Sequence, residues 1–445
     1  MLKVSLVSLG CARTLMDSEV ALGGLAAQGY EVVSDVKQAD VAIVNTCGFI
    51  EEAKVESIET ILELCREKKK GRLGAVVVLG CLAQRYGKEL GEELKEVDGI
   101  IGTNHYGDLA RLLEPLKNKK KARVFEVREK PRYLLDEHSP RHSLTPPHLA
   151  YVKISEGCIN ACSYCVIPRM KGPHRSRTID SVLNEIKKIA GERKLSEINL
   201  IGQDTAAFGF DRSRAFELPL LLQKIADQNL VPWVRLLYAH PGHVTDELID
   251  AMARNETICK YVDFPIEHSH DDMLRRMNRG VSRAKMEWGI ETFRKKIPGV
   301  AIRTTVIVGF PGETEEEFRD LMDFLKDARF ERVGAFEFSE EEGARAYGMD
   351  GQIPKAVKRE RFNAVMAQQM EISRGIHEAQ IGREVEVLID ERPADEAGVF
   401  YGRTQADAPE VDGQAIVHSE KNLEQGEFVK MRVTDALEYD LIGAC

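Results

Sequence analysis

The sequence has no long apolar run, no excess of positive charge and no internal repeat. No stretch approaches the ~18 consecutive apolar residues of a membrane-spanning helix, and the N-terminus has no secretory signal pattern. We therefore expect a cytoplasmic protein without a membrane partner. The formal net charge is −10, so the chain as a whole offers no basic field that attracts nucleic acid. Disulfides are rare in a reducing compartment, so the nine cysteines are expected to be metal ligands or core residues.

Residues 1–135 alternate apolar strand runs with helical patterns. The runs KVSLVSLG, VAIVNT and AVVVLG are separated by segments such as EEAKVESIETILELCREKKK. This alternation predicts a parallel α/β sheet with helices on its faces. Residues 136–147, DEHSPRHSLTPP, are polar and proline-rich, which indicates a linker. The basic run at 117–123, KNKKKAR, is interpreted as a solvated helix end or loop.

Residues 148–379 contain six strand-like runs, and a helical segment follows each of the first five. Repeated βα units build a barrel or an open parallel sheet, and six units are fewer than the eight of a full barrel. We predict a partial (βα)6 barrel followed by a long connecting helix. Residues 380–445 are short strands with turn residues between them, which predicts a small β-barrel of the OB type. This last block has six basic and 15 acidic residues, a net charge of −9.

Three cysteines lie within eight positions in the stretch GCINACSYC: Cys158, Cys162 and Cys165, spaced C-x3-C-x2-C. They follow the first strand of the predicted barrel, and barrel active sites lie at the C-terminal ends of the strands. A structural zinc site would need a fourth ligand. Three thiolates instead suit three irons of a [4Fe–4S] cluster, which leaves the fourth iron for a small ligand. The alternative is a fortuitous cluster of cysteines.

Three other cysteines share a position in the first predicted sheet, because Cys11, Cys47 and Cys81 each come at the end of a strand run. Parallel strands bring their C-terminal ends to one edge, where ligands bind in open α/β folds, so the three can converge. Each has a neighbour that would let the backbone approach a bulky cofactor, namely Gly10, Gly48 and Gly80. The alternative is three small buried hydrophobic residues, a common use of cysteine.

The remaining cysteines are expected to have no functional role. Cys65 is placed on a helix face with Val55, Ile58 and Leu62, which predicts a core position. Cys259 is also expected in the core, and the terminal Cys445 is expected to be a free thiol.

The C-x3-C-x2-C motif, with the aromatic residue Tyr164 before its last cysteine, resembles the radical S-adenosylmethionine (SAM) enzymes. In that superfamily the open iron of the cluster binds SAM. Electron transfer from the reduced cluster cleaves SAM to a 5′-deoxyadenosyl radical, which abstracts a substrate hydrogen atom. The resemblance implies that the three cysteines hold the catalytic cluster. Candidate cofactor-binding residues are Tyr164, Gln203 and Asp204 at the end of the second strand, and Arg303, which is placed to meet a carboxylate.

Two cysteine trios and a small C-terminal barrel resemble the methylthiotransferases over the whole chain. In that family the N-terminal domain holds a second [4Fe–4S] cluster that takes part in delivering sulfur, and the C-terminal barrel is a TRAM domain. The resemblance therefore implies that Cys11, Cys47 and Cys81 ligate this second cluster. It also implies insertion of a methylthio group into an unactivated C–H bond. One SAM would donate the methyl group and another would supply the radical, with an external electron donor and an external sulfur source.

Some members of this family modify tRNA, and others modify the β-carbon of an aspartate in the twelfth small-subunit ribosomal protein. Three stretches are similar to the protein-modifying branch: NTCGFIEEAKVESI, KISEGCINACSYCVIPRMKGPHRSR and GRTQADAPEVDG. The charge of the last block favours the same branch. An RNA-binding barrel needs a basic face, whereas a net charge of −9 attracts a basic ribosomal protein. The expected docking residues share one loop, Asp407, Glu410 and Asp412, and RNA binding is not expected.

Two positions depart from the pattern of the family. The fourth barrel strand leads into FPIEHSH, with Glu267 where glutamine is usual, and ARTLMDSE follows Cys11 in place of the more usual Pro-Lys-Asn version. Neither departure changes a cysteine, and no role is assigned to Glu267. Two alternative functions stay open: a tRNA methylthiotransferase of the MiaB type, and a non-catalytic iron–sulfur module that docks on ribosomes. Cleavage of SAM by the reduced protein would separate the enzymes from the module.

Overall fold

The computed structural model of this chain describes residues 2–118 and 123–445. Residues 119–122 of the basic run KNKKKAR lie outside the described residues, so its interpretation stays a prediction. The described part of the chain forms two parallel sheets and a closed β-barrel, with a small two-stranded sheet beside them. None of its helices is both long and apolar enough to cross a membrane.

The first sheet is parallel, as the alternation of strand and helix patterns predicts. Its strands are β1 (Lys3–Ser8), β2 (Glu31–Val32), β3 (Val41–Thr46), β4 (Ala75–Gly80), β5 (Gly99–Ile101) and β6 (Val124–Glu126). Its helices are α1 (Ala12–Ala27), α2 (Glu51–Lys69), α3 (Cys81–Glu93) and α4 (Leu109–Leu113). The strand order is β2–β1–β3–β4–β5–β6, and β3 and β4 are buried along their whole length. Because β1, β3 and β4 are neighbours, their C-terminal ends lie side by side at one edge.

The central domain is an open parallel sheet of six strands, fewer than the eight of a closed (βα)8 barrel. These are β7 (Leu149–Lys153), β10 (Glu197–Ile201), β11 (Trp233–Leu236), β12 (Ile258–Asp263), β13 (Ala301–Val308) and β14 (Arg332–Glu337). They follow one another in chain order across the sheet. The two short antiparallel strands are β8 (Ser155–Glu156) and β9 (Arg175–Ser176).

Helices follow each of the first five central strands, as the sequence predicts. They are α5 (Ile167–Lys171), α6 (Ile179–Glu192), α7 (Phe210–Ser213), α8 (Leu218–Gln228), α9 (Asp246–Arg254), α10 (Asp271–Arg276), α11 (Arg283–Lys296) and α12 (Glu315–Ala328), and the long helix after β14 is α13 (Lys355–Glu378). Thr314 and Glu317 form a reciprocal capping box that starts α12 directly after β13. Apolar side chains of the strands and of these helices form the largest core.

The last block is a closed five-stranded barrel, which confirms the predicted fold class. Its strands are β15 (Glu384–Glu391), β16 (Val399–Arg403), β17 (Ala415–His418), β18 (Phe428–Ala436) and β19 (Leu441–Ala444). The barrel closes in the order β15–β16–β17–β19–β18, in which the β17–β19 pair is parallel and the others are antiparallel. Its interior is filled by apolar side chains such as Val387, Phe400 and Met431.

The N-terminal domain packs on the C-terminal ends of the central strands through four buried charges, which we call the charge quartet. Asp17 of α1 accepts hydrogen bonds from Lys153, the last residue of β7, and from Lys171 of α5. Glu156 of β8 accepts a hydrogen bond from Lys153 at 2.9 Å. Two positive and two negative charges compensate one another, which buried charges require. The quartet ties α1 to the strand that leads into the C-x3-C-x2-C motif.

The segment 136–147, predicted as a linker, has no helix or strand and is held to both domains. Arg141 pairs with Glu19 of α1, and its other terminal nitrogen donates to Glu185 of α6 at 2.9 Å. The backbone N–H of His142 also donates to the carbonyl oxygen of Glu19 at 2.9 Å. The connection therefore reinforces the interface between the two domains.

The C-terminal barrel packs at the opposite, N-terminal ends of the central strands. Arg332, the first residue of β14, pairs with Asp407. The hydroxyl of Tyr261 donates to Asp412 at 2.7 Å, and the guanidinium of Arg303 lies 3.4 Å from the same carboxylate. Charged side chains that face the inside of the open sheet are thereby neutralised by the C-terminal barrel.

This packing corrects one expectation from the sequence, because the side chains of Asp407 and Asp412 are only 5% and 2% exposed. They do not form an exposed docking loop, since arginines of the central sheet bind them. Glu410 between them is exposed. Other acidic residues of the C-terminal barrel remain exposed around the β15–β16 connection, and we call three of them the acidic rim: Glu391, Asp395 and Glu396.

Helix α2 turns a different face to the sheet than the one predicted. Cys65 is buried, as expected, but it shares its face with Ser57, Ile61 and Leu64. The face predicted for the core is instead exposed by 36–45%: Val55, Ile58 and Leu62. Cys259 is buried, as predicted, and Cys445 is a free thiol, as predicted, with an exposed position.

Candidate active site

The loop after β8 carries the first cysteine trio, which we call the barrel trio: Cys158, Cys162 and Cys165. It lies at the C-terminal ends of the central strands, where barrel active sites are found. Backbone N–H groups of Asn160 and Ile167 donate to the sulfur atoms of Cys158 and Cys165 at 3.4 and 3.5 Å. Burial raises the pKa of Cys158 to about 11. Such a thiol becomes a thiolate only with a positive partner such as a metal.

Arg279 supplies positive charge at this trio. Its Nη1 lies 3.5 Å from the sulfur of Cys162, and its guanidinium lies 3.9 Å from the carboxylate of Glu267. Burial raises the pKa of Glu267, while Arg279 and a hydrogen bond from Tyr164 act in the opposite direction. Glu267, which follows β12, has a φ of +68°. Tyr238, which follows the neighbouring strand β11, has a φ of +62°. Such conformations are rare outside glycine and concentrate at functional sites.

The second trio, which we call the N-terminal trio, comes together at the edge of the first sheet: Cys11, Cys47 and Cys81. A Cβ atom added at Gly10 would lie 3.0 Å from the Cβ and 3.5 Å from the sulfur of Cys47. One added at Gly48 would lie 3.0 Å from the carbonyl carbon of Cys81. Gly10 also has a φ of +100°, a conformation that L-residues rarely adopt. The turns after β1 and β3 therefore need glycine for the cysteines to come this close.

Arg13 extends from the N-terminal trio to the central domain. Its Nε donates to the sulfur of Cys11 at 3.3 Å. Burial alone would raise the pKa of the Cys11 thiol, but the charge of Arg13 and hydrogen bonds to the sulfur lower it to about 7. Burial raises the pKa of Cys81 to about 12. The other side of Arg13 packs on Tyr238, with its Cζ 4.4 Å from the ring centroid.

Neither trio has the spacing of a single-ion site. Thiolates at ~2.3 Å from one zinc ion must lie closer than 4.8 Å to one another. Among the described residues, the groups of three or more ligand atoms that meet this limit contain no cysteine. Wider-set sulfurs suit a group with several metal atoms. The donor set agrees, because each trio offers three thiols and one arginine, Arg279 or Arg13, that offsets thiolate charge. The residues present fit a [4Fe–4S] cluster at each trio.

Gln203 and Arg303, two of the predicted cofactor-binding residues, lie at different depths in the central domain. The side-chain amide of Gln203 donates to Glu156 of the charge quartet at 2.6 Å, next to the loop of the barrel trio. Arg303 lies lower in the sheet and pairs with Asp263 at 3.2 Å as well as with the C-terminal barrel. Arg303 does bind carboxylates, but they are the side chains of Asp263 and Asp412 in this chain.

Asp204, another predicted contact, is buried and acts on the loop of the barrel trio. Its carboxylate accepts hydrogen bonds from the side chain of Asn160 at 2.8 Å and from Nδ1 of His243 at 2.6 Å. The backbone N–H of Asn160 in turn donates to the sulfur of Cys158. Asp204 therefore holds the residue that donates to the first cysteine of the motif.

Sequence reasoning missed Arg13, Arg279 and Tyr238. For Arg13 the only local signal is its position two residues after Cys11, and the sequence does not show that its side chain reaches the sulfur. Arg279 lies 117 residues from Cys162 in the chain, and the φ of Tyr238 is visible only in the structure.

Comparisons with known proteins cover nearly the whole chain. The profile of the radical SAM superfamily matches residues 152–325, that of the "Uncharacterized protein family UPF0004" matches residues 3–102, and that of the TRAM domain matches residues 381–445. The ribosomal protein uS12 methylthiotransferase RimO of Thermoanaerobacter sp. (strain X514) is 46% identical over 443 residues, which is 100% of both chains. The protein of the same name from Desulforamulus reducens is 45% identical over 99% of this chain and 98% of its own length.

Solved structures share the fold over part of this chain at lower identity. The radical SAM methyltransferase TsrM from Kitasatospora setae, solved with cobalamin and a [4Fe–4S] cluster bound, has a TM-score of 0.58 and 18% identity. The match covers 78% of this chain and 77% of that one. At this identity the likeness is evidence for the fold alone.

Proposed function

Because this chain belongs to the RimO family of radical SAM methylthiotransferases, we propose that it attaches a methylthio group to the β-carbon of an aspartate in ribosomal protein uS12. The observation that carries the proposal is the similarity to RimO proteins over the full length of both chains. Two cysteine trios on either side of one domain interface support it, since the reaction must bring sulfur and a hydrogen-abstracting radical to the same carbon atom.

In this proposal the barrel trio holds a [4Fe–4S] cluster to which SAM binds. When bound, that cluster and SAM supply the electron and the 5′-deoxyadenosyl radical for hydrogen abstraction. Arg279 offsets the thiolate charge at Cys162, as an outer-shell partner of a metal site does. Asp204 positions Asn160 and so orients the loop of the trio. The residues proposed to line the SAM pocket are Tyr164, Gln203 and Asp204. Arg303, also expected there from the sequence, pairs instead with Asp263 and with Asp412 of the C-terminal barrel.

The N-terminal trio is proposed to hold a second [4Fe–4S] cluster that takes part in delivering sulfur, with a second SAM as the methyl donor. This chain contributes by holding the two trios in position relative to each other. The charge quartet fixes α1, whose N-terminal residue follows Cys11, against β7 and β8, which lead to Cys158. Arg13 adds a second contact between the two domains, because it binds the sulfur of Cys11 and packs on Tyr238. An external electron donor and a sulfur source complete the reaction.

The acidic rim is proposed to contact the basic ribosomal protein. The C-terminal barrel has a net charge of −9, and the rim carboxylates are exposed although Asp407 and Asp412 are not. Attraction between exposed charges is screened by salt, with a Debye length of about 8 Å at physiological ionic strength. Binding of uS12 should therefore weaken as the salt concentration rises.

Mass spectrometry of ribosomal proteins and tRNA from cells that lack this gene tests the proposal. We expect uS12 to lose the mass of one methylthio group and tRNA to remain unchanged. Re-expression of the wild-type chain should restore the modification, and re-expression of Cys158→Ala should not, since it removes a ligand of the proposed SAM cluster. Loss of a methylthio group from tRNA, with uS12 unaffected, would contradict the proposal in favour of the MiaB type.

A further inference from the structure

Arg13 is a partly exposed cation with unused hydrogen-bond donors at the interface between the N-terminal and central domains. Its Nε binds the sulfur of Cys11, but no described residue accepts a hydrogen bond from its terminal nitrogens Nη1 and Nη2. Neither nitrogen is among the buried unpaired atoms of the described residues, so both reach open space. Packing of the guanidinium plane on Tyr238 fixes its orientation. The two terminal nitrogens are the pair that binds a carboxylate end-on with two parallel hydrogen bonds.

Five other cations of the central domain already have partners. Lys153 and Lys171 belong to the charge quartet. Arg303 pairs with Asp263 and Asp412. Arg279 donates to the carbonyl oxygen of Pro265 and lies beside Glu267. The terminal nitrogens of Arg175 donate to three backbone carbonyl groups, those of Pro173, Tyr133 and Lys171. Among these six cations, Arg13 is therefore the one with donors left for an incoming anion.

We propose that Arg13 is the residue that binds the side-chain carboxylate of the substrate aspartate. This inference rests on the proposed function and names the group of this chain that recognises its substrate. The β-carbon of an aspartate is bonded directly to its carboxyl carbon. A guanidinium that holds the carboxylate with Nη1 and Nη2, while its Nε stays on Cys11, places that β-carbon next to the N-terminal trio. Asparagine and a nucleic-acid base carry no negative charge and bind this group more weakly.

Binding of two fluorescein-labelled peptides tests the proposal on the purified full-length protein under anaerobic conditions. Both peptides contain the uS12 segment around the target residue, one with aspartate and one with asparagine at that position. The wild-type protein should bind the aspartate peptide about ten- to a hundredfold more tightly, the range for a hydrogen bond to a charged group. Arg13→Gln should abolish this preference. Arg13→Lys should keep a smaller part of it, because lysine keeps the charge and lacks the planar fork. The matched control is Arg111→Gln, an exposed arginine of α4 in the same domain, which should retain the full preference.

An Arg13→Gln protein that still prefers the aspartate peptide overturns the inference. Iron analysis accompanies each variant, because Arg13 also contacts Cys11. If Arg13→Gln loses iron, the peptides are compared on Cys11→Ala, which disturbs the same trio and keeps Arg13. If Cys11→Ala still prefers the aspartate peptide to the asparagine peptide, recognition by Arg13 is supported. If Cys11→Ala shows no such preference, the inference is overturned. If the proposed function itself is wrong, the result is different from those of the variants. The wild-type protein would then bind neither peptide and leave uS12 unmodified, and the inference about Arg13 would be wrong as well.

Discussion

Replacing Asp407 by alanine tests the interface between the C-terminal barrel and the central sheet. The change leaves the guanidinium of Arg332, whose side chain is 8% exposed, without its carboxylate partner. The hydroxyl of Thr404 also loses its acceptor, which lies 2.6 Å away. Removing one partner of a buried ion pair costs about 3–5 kcal/mol. Since folded proteins are stable by only about 5–15 kcal/mol, the loss is a large share of the free energy of unfolding.

Urea unfolding followed by tryptophan fluorescence measures this loss. Trp233 of β11 is a suitable reporter, because its ring centroid lies 4.9 Å from that of Phe428 in the C-terminal barrel. We expect a clearly lower unfolding midpoint for Asp407→Ala. The matched control is Glu410→Ala in the same loop, which removes an exposed carboxylate and should change stability by less than about 0.5 kcal/mol.

A double variant distinguishes the cost of an unpaired buried charge from the cost of lost packing. Asp407→Ala combined with Arg332→Met removes both charges and should recover most of the lost stability, since apolar replacement of a buried pair is often neutral. Burial raises the pKa of Asp407, but Arg332 and Thr404 outweigh it and lower that pKa. The pair therefore contributes fully above the ordinary aspartate pKa of about 3.9, and its contribution is lost as the pH falls through the lower folded value. Equal midpoints for Asp407→Ala and Glu410→Ala at pH 7 would refute the reasoning.

Three further predictions concern the trios and the acidic rim. Replacing the barrel trio by alanine should remove about half of the iron and abolish 5′-deoxyadenosine formation. Replacing the N-terminal trio by alanine should also remove about half of the iron. That second variant should still form 5′-deoxyadenosine but should transfer no methylthio group. Full iron content with transfer in the latter variant would show that these cysteines are core residues. Gly10→Ala should lower the iron content, because the added Cβ would lie 3.0 Å from that of Cys47 at a φ of +100°, and Gly24→Ala in α1, with open space around it, should not. Lysine at all three positions of the acidic rim should weaken uS12 binding at low salt and leave SAM cleavage without substrate unchanged; unaltered binding would rule the rim out as a docking surface.

The positions of the cysteines were predictable because they depend on local patterns. Cys11, Cys47 and Cys81 follow strands, and parallel neighbouring strands must bring their C-terminal ends to one edge. The order of βα units was predictable for the same reason, since each strand and helix shows its own periodicity. The glycines beside the cysteines were also visible in the sequence, although the distances that require them were not.

The errors came from contacts between distant parts of the chain. Asp407 is 75 residues from Arg332, and nothing near it in the sequence indicates a buried partner. A cluster of acidic residues in a loop normally suggests exposure. In α2, the faces with Val55 and with Ile61 both have helical spacing, and only the position of the sheet decides which one is buried. Arg13 became a candidate for recognition only when the partners of the other cations were known.

The charge quartet has a consequence for how the molecule can handle substrates of different sizes. Asp17 lies six residues after Cys11, and Lys153 lies five residues before Cys158, so the anchors are close to both trios. Opening this interface would expose four compensated charges and break their hydrogen bonds at once, which makes it a poor hinge. The two trios are therefore held at a fixed separation. A substrate group too large to fit between them is excluded by its size, independently of any specific contact with a side chain.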